Sequence, residues 1–400
     1  MVGSAMPDDD HSAISAHDAK RLFADWKAAP AIVLAVSGGP DSIALMWLAA
    51  RWRRTLARGP RLIVVTVDHG LRTEAAAEAR EVKRLAHTLD LPHRTMRWSG
   101  AKPKTGLPAA ARTARYRLLA QAARENGATH VLTAHTRDDQ AETLLMRLLR
   151  GSGIGGLAAM ARQSERDGVL LARPFLNVSK SRLVATLKKA KIGFAEDPTN
   201  RDTGFTRPRL RTVMPVLAVE GGDARNLARL ASRLARANAA VEVLVDGAER
   251  YLALRDQQAS RPGSDVRSFD AKGFEAKSFE AKSFDAKSFD AKSFEARSFE
   301  ARSFDARAFA AMPEEIRLRL LLRTINRFGL EGPAELGKVE ALLAALDQAV
   351  AGESKGRRPK PNRPRPKHTR LKQTLAGALV SLNGDRIRVE PAPPRRRRPD

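Results

Sequence analysis

The sequence predicts an α/β protein: a parallel sheet with helices on both faces, followed by a smaller, mainly helical domain. Two observations carry this. Strand-like apolar runs alternate four times with helical patterns in the first part of the chain, and after about residue 218 the pattern becomes helical. Strand–helix alternation calls for a parallel sheet, because parallel neighbours need a crossover, and such sheets bind ligands at the carboxyl ends of their strands.

The first strand is Ala31 to Val36 (AIVLAV), a short apolar run that ends at Ser-Gly-Gly-Pro, as a buried parallel strand entering a tight turn does. Pro40 suits a first helical turn, and IALMWLAARW continues with helical spacing. Arg61 to Val67 (RLIVVTV) is the second strand, ending at Asp68-His69-Gly70 before the helical EAAAEAREVKRLAHTL. A weaker strand, His93 to Trp98, precedes the helix AAARTARYRLLAQAAREN. The fourth, Thr129 to Ala134 (THVLTA), runs into HTRDDQ and the helix AETLLMRLLR. Three polar clusters therefore fall at strand carboxyl ends: Ser37–Ser42, Asp68–His69 and His135–Asp139.

Beyond residue 218 the chain divides by composition. A helical stretch covers 218–267, and from Ser268 to Phe309 a five-residue unit (SFDAK, SFEAK, SFEAR) repeats and supplies nine of the fourteen phenylalanines. Steps of five turn each Phe by about 140° on a helix and alternate its face on a strand. Neither gives a one-sided core, so 268–311 reads as a low-complexity insertion. Helical pattern returns from Met312 to Leu346. The Pro/Arg-rich GRRPKPNRPRPKH follows, then TLAGALVSLNGDRIRVE reads as a hairpin turning at Asn383-Gly384, which takes the second domain to about residue 390. Residues 391–400 form a basic tail, and residues 1–20 read as a disordered leader.

A chain of 400 residues exceeds one typical core, so two or three domains are expected. No run of eighteen apolar residues exists and the N-terminus has no basic-then-apolar pattern, which places the protein in the cytoplasm without a membrane span. Cysteine is absent, excluding disulfides, thiolate metal sites and a cysteine nucleophile. The net charge is +26, and Lys355–Asp400 holds fifteen Lys/Arg against three Asp/Glu. Such a surface favours polyanions, without separating RNA from DNA or acidic lipid.

Ser37-Gly38-Gly39-Pro40-Asp41-Ser42 lies between a strand and a helix, where a phosphate site costs little. Glycines turn backbone N–H groups inward, the helix start adds partial positive charge, and the serines add donors. The GxxxxGK[ST] loop and its lysine are missing. Asp41 would be repelled by a bare phosphate, so an aspartate here suggests a bridging Mg²⁺. A tight βα turn with an ordinary N-cap is the plain alternative. Asp138 and Asp139 open a helix, where the dipole favours acids, but Asp139 and Glu142 share a face beside the phosphate loop. Carboxylates there suit Mg²⁺ or an ammonium alike. Arg112 and Arg115, three apart, can face the site together and donate to a phosphate or a developing negative charge, or merely line a solvated face. Gly151, Gly153 and Gly156 spell GxGxxG, but after a helix, so the dinucleotide reading fails its context.

SGGPDS in this setting resembles the signature of the PP-loop ATP pyrophosphatases, a Rossmann-like fold, which implies ATP cleavage to AMP and pyrophosphate. VDHGLR, ARTARYRLL, HTRDDQAETLLMRLLRGSGIGGLAAM, RPFL and DPTNRDTGFTRPRLR, in this order, resemble the tRNA(Ile)-lysidine synthetases. The resemblance is strong over about 25–217 and weaker through Met312–Leu346 and TLAGA. It implies a catalytic ATP-binding domain at 21–217, a tRNA-binding domain at 312–390, ATP and Mg²⁺ as cofactors, and free L-lysine and tRNA(Ile) with a CAU anticodon as partners. It further implies that Ser37 to Ser42 bind ATP with Asp68 and His69 near the nucleotide, and that Asp138 and Asp139 serve catalysis; Asp41, Arg112 and Arg115 are further catalytic candidates, His135 a further ATP-binding candidate, and Asp41 and Asp138 metal candidates. Glu142, Arg207, Arg209 and Arg211 are candidates for substrate, RNA or phosphate. A homodimer stays open. The phenylalanine repeat departs from the family pattern, as does the lack of the extra C-terminal domain of longer members. Rivals are a tRNA thiolase, disfavoured by the missing cysteines, an amidating synthetase without its glutaminase, and a non-catalytic RNA-binding protein.

Overall fold

The computed structural model describes residues 11–70, 75–100, 102–103, 105–195, 204, 206–259, 302–351 and 369–393. These fall into two compact units, Met1–Asn238 and Ala239–Asp400, so the boundary lies some twenty residues beyond the expected 217.

In the first unit the elements run α1 (Ala16–Phe23), β1 (Ala31–Ala35), α2 (Pro40–Arg54), β2 (Arg61–Asp68), α3 (Ala75–Thr88), β3 (His93–Arg97), α4 (Leu107–Glu125), β4 (His130–Leu132) and α5 (Arg137–Leu148). Then follow α6 (Ile154–Leu157), β5 (Gln163–Arg166), β6 (Val169–Ala172), α7 (Lys180–Lys189), α8 (Thr206–Val219) and the long α9 (Ala224–Ala259), which carries the boundary between units. The sheet order is β3-β2-β1-β4-β6-β5, parallel except for the edge strand β5. Alternate residues of β1 feed two cores. Ile32 and Leu34 pack with Phe23 of α1, Leu45 of α2 and Leu183 of α7; Ala31 and Val33 pack with Leu119 and Ala123 of α4. Period-two alternation thus builds the helix layers on both faces, as expected from the sequence.

Strand order reverses between β1 and β4, and at such a switch point the connections after the two strands diverge and leave a crevice. Ser37–Ser42 follows β1 and His135–Asp139 follows β4, so topology alone brings these distant clusters together.

Three features differ from the sequence expectation. The leader does not extend to residue 20: Ser15 caps α1 in a reciprocal box with Asp18, and Ile14 and Ala19 are buried. The β5–β6 hairpin was not expected, although Asp167-Gly168 at its turn, both with positive φ (52° and 76°), is a hairpin signal. The third difference lies in the second unit.

That unit holds β7 (Arg302–Asp305), α10 (Ala306–Ala310), α11 (Glu314–Phe328), α12 (Leu336–Ala351), β8 (Thr369–Leu375), β9 (Ala378–Asn383) and β10 (Arg386–Pro391). It is mainly helical with an antiparallel hairpin, as expected, and the hairpin belongs to a four-stranded sheet in the order β7-β10-β9-β8. The hairpin at Asn383-Gly384 is present as β9–β10. The end of the phenylalanine repeat is core, not insertion: Phe304 and Phe309 are each 1% exposed and stack at 6.1 Å. Steps of five fail on a pure helix or a pure strand, but here the chain changes from strand to helix at Asp305. Its carboxylate caps α10 by accepting the Ala308 N–H at 2.7 Å, so both rings reach one side. The earlier repeats (260–301), the Pro/Arg-rich segment (352–368), DPTN (197–200), Arg72 and the basic tail from 394 lie outside the described residues. Among the described residues no helix is long and apolar enough to cross a membrane.

Candidate functional site

The phosphate loop leaves β1 through Gly38, whose φ of +100° is one that side-chain-bearing residues rarely adopt. Ser42 Oγ closes the loop, accepting the N–H groups of Ser37 (3.1 Å) and Gly38 (3.2 Å) and donating to Gly39 O (2.9 Å). Gly39 is the N-cap of α2 and Pro40 its first-turn residue. A Cβ at Gly39 would meet nothing within 4 Å, so the loop opens onto free space above the helix start. An anion there would face the positive end of α2, whose first-turn N–H groups have no partner within the helix.

Across the switch point, Thr136 caps α5 in a reciprocal box: Asp139 Oδ2 accepts the Thr136 N–H (2.8 Å) and hydroxyl (3.0 Å). Asp139 Oδ1 accepts from Arg207 Nη1 at 3.1 Å. Asp138 turns the other way and takes the backbone N–H of Lys180 at 2.9 Å, fixing α7 to α5. Glu142, with 5% of its side chain exposed, accepts from Arg211 Nε at 2.7 Å and lies 3.8 Å from Arg207 Nε. Asp138, Asp139, Glu142 and Arg211 line a cavity of about 250 Å³ together with Asp41, Thr136, Lys180, Met214 and Ala224.

The cavity is acidic and under-satisfied. Burial, reinforced by Asp139 and Asp138, lifts Asp41 to about 6 in spite of Lys180, whose Nζ stands 3.6 Å from Asp41 Oδ2. Burial likewise raises Glu142 against the pull of Arg211. Asp139 is the exception: burial works against its ionised form, but the Thr136 N–H and Arg207 outweigh it and hold the carboxyl below its usual range. Asp41 Oδ1 and Glu142 Oε2 are buried without a hydrogen-bond partner. Two buried carboxylate oxygens without a hydrogen bond in one cavity are what a further cation would satisfy, although Glu142 Oε2 already has the more distant Arg207. Among the described residues no group of three acidic or histidine side chains converges tightly enough to hold a metal alone. Mg²⁺ commonly takes only one or two carboxylates and completes its shell with phosphate and water; Asp41, with its unsatisfied oxygen, fits that role, and Asp138 lines the same cavity with one oxygen already on the Lys180 N–H.

The candidate arginines separate. Arg211 lines the acidic cavity and Arg207 pairs with its Asp139, whereas Arg209 donates to Gly204 O at 3.0 Å. Arg112 and Arg115 do not line the cavity but pack on Tyr116 at 5.1 and 5.0 Å from its ring centre, with Arg166 on the same ring at 4.2 Å. Arg115 also donates to the Tyr116 hydroxyl at 3.2 Å. Burial dominates the lowering of Arg112, and Arg115, Arg207 and Arg166 add repulsion. This guanidinium cluster faces His135, which burial, then Arg115, Arg173 and Arg112, keep well below its ordinary pKa and so neutral near pH 7. Its Nδ1 lies 2.9 Å from Thr133 Oγ1. At the end of β2, Asp68 Oδ1 accepts the Gly70 N–H at 2.8 Å, and His69 meets Trp98 edge-on at 6.1 Å.

Sequence reasoning did not single out Thr136, Lys180, Met214 or Tyr116. Ser179-Lys180 after RPFLNV was a readable helix start, since Ser179 caps α7. That the helix would aim a lysine at the phosphate loop was not readable.

The geometry is thus a phosphate loop facing a buried acidic cavity at a sheet switch point. Residues 12–217 match the PP-loop domain family. A tRNA(Ile)-lysidine synthase from Bradyrhizobium diazoefficiens is 66% identical over 395 residues, covering 99% of each chain. The chain belongs to the tRNA(Ile)-lysidine synthase family. Family members from Rhodopseudomonas palustris (61% identical; 97% of this chain and 98% of theirs) and Methylobacterium nodulans (44%; 92% of each) extend over both units. The match through Ala239–Asp400 matters, because the family motifs noted in the sequence lie mostly in the first unit.

Proposed function

We propose that this chain is the ATP-dependent ligase that joins lysine to C2 of the wobble cytidine in tRNA(Ile) with a CAU anticodon. The observation that carries the reading is the meeting of the Ser37–Ser42 loop with Asp41, Asp138, Asp139 and Glu142 around one cavity. In the first step O2 of the cytidine attacks the α-phosphorus of ATP and pyrophosphate leaves. In the second the lysine amine attacks C2 and AMP departs. The protein positions the reactants and stabilises charge, and no covalent enzyme intermediate is required.

The loop N–H groups and the start of α2 receive the phosphates. Asp41 and Asp138 are the residues that would hold Mg²⁺, which would neutralise phosphate charge when bound. Glu142, held above the usual carboxylate range by burial, is suited to take a proton from the incoming ammonium, which must become a neutral amine before it attacks. Arg112 and Arg115, steadied on Tyr116, supply donors for charge that develops at the α-phosphate. The positive charge of the C-terminal region suits the RNA backbone.

The test is incorporation of labelled lysine into tRNA transcripts that differ only at the wobble base. Incorporation with cytidine, stoichiometric with AMP and abolished by uridine at that position or by chelating divalent metal, supports the reading. AMP release indifferent to lysine or to the tRNA contradicts it.

A further inference from the structure

Lys180 is the cation of the cavity nearest the phosphate loop. It opens α7, and its backbone N–H is held by Asp138 Oδ2 at 2.9 Å, so the stem starts from a fixed point. The head is less committed. Its Nζ lies 3.6 Å from Asp41 Oδ2 and its side chain is 40% exposed, whereas the other cations here sit closer on their acids, Arg211 at 2.7 Å from Glu142 and Arg207 at 3.1 Å from Asp139. The second oxygen of Asp41 is buried without a hydrogen bond, so Lys180 leaves part of that carboxylate unsatisfied. Arg112 and Arg115 are stacked on Tyr116. Lys180 alone among these combines a fixed base, a loosely held charge and a place beside the first turn of α2. A flexible four-carbon stem ending in a compact ammonium suits a charge that must change partner.

We propose that Lys180 is the counter-ion of the departing pyrophosphate, pairing with Asp41 before ATP enters and with an oxygen of the β- or γ-phosphate once ATP occupies the loop. This rests on the ATP-splitting reading above. When the bond between the α-phosphorus and the bridging oxygen breaks, its electron pair stays on that oxygen and the leaving pyrophosphate gains one negative charge. The Lys180 ammonium balances that charge without giving up a proton. The exchange also explains why a lysine is placed against Asp41 at all: it neutralises the carboxylate while no cation is present and leaves it free when one arrives.

The experiment compares the full-length wild type with Lys180→Met and Lys180→Arg. It measures equilibrium binding of magnesium pyrophosphate and of AMP, and the rate of AMP formation with lysine and tRNA. Loss of one charged hydrogen bond should weaken pyrophosphate binding by roughly tenfold or more in Lys180→Met. AMP affinity should stay within twofold, the rate should fall, and Lys180→Arg should restore most of the pyrophosphate affinity. The backbone tie to Asp138 survives both changes, so the melting temperature serves as a check on folding. Pyrophosphate affinity and rate within twofold of wild type, or equal losses for pyrophosphate and AMP, would overturn the proposal. A wild type that forms no AMP with both substrates present would instead overturn the reading beneath it.

Discussion

Both units gather arginines and carboxylates, and the two gatherings behave differently. In the second unit Glu242, Asp246 and Glu249 of α9 face Arg302, Arg319 and Arg323. Arg323 bridges to Asp246 (2.6 Å) and Glu249 (3.4 Å), Arg319 and Arg323 both hold Glu242, and Arg302 holds Glu249. These groups are partly exposed and each acid has a guanidinium. In the first unit Asp41, Asp138, Asp139 and Glu142 meet Lys180, Arg207 and Arg211 in a buried cavity, and two carboxylate oxygens go without a hydrogen bond. The same residue types give a closed ladder in one place and an open charge in the other. A closed ladder supports the fold. An open one costs stability and is kept where a ligand closes it.

The largest expected effect comes from breaking the open cluster at its best-connected member. Asp139→Ala removes the acceptor for Arg207 and half of the α5 capping box. AMP formation in single turnover should fall by about a hundredfold or more, with a stability loss of about 1 kcal/mol from the cap. Next comes the loop itself. Gly38→Ala must adopt a φ of +100°, and a cost of about 1–3 kcal/mol in stability is expected, together with weaker ATP binding, read by calorimetry.

The acid cluster also has a pH signature. Asp41 titrates at about 6 when folded against 3.8 as the ordinary value, so between those values the folded chain binds more protons than the unfolded one. Its contribution to stability is therefore greatest below about pH 4 and falls as pH rises to about 6, by up to about 3 kcal/mol. The difference in urea midpoint between wild type and Asp41→Asn should widen from pH 4.5 to pH 7.5, with the variant gaining. The smallest effect belongs to the closed ladder. Arg323→Ala should cost about 1 kcal/mol by thermal melting and leave AMP formation within twofold, because the pairs are partly solvated.

Much of the open cluster was legible in the sequence because its parts are local. Ser37–Ser42 is a strand-to-helix turn, and Asp139 and Glu142 share one helical face. What joined them was strand alternation, which implies a switch point. The closed ladder and Lys180 were not legible, since each depends on which face of a helix meets a distant partner, and lysines and arginines on helices are common. The phenylalanine repeat misled for a related reason. Its period excludes a core on any uniform element, but the break from β7 to α10 at Asp305 lets Phe304 and Phe309 stack. Hairpin β5–β6 was legible at Asp167-Gly168, yet its short strands were overshadowed by the helices around them.

The most direct test of the contrast is Asp41→Asn in the full-length chain, with AMP formation and unfolding free energy measured on the same preparation at pH 7.5. The open cluster predicts that AMP formation is lost while stability is equal to or above wild type. A variant that keeps its AMP formation, or loses it only because it is less stable, would contradict the claim that this carboxylate is held at a cost for the reaction.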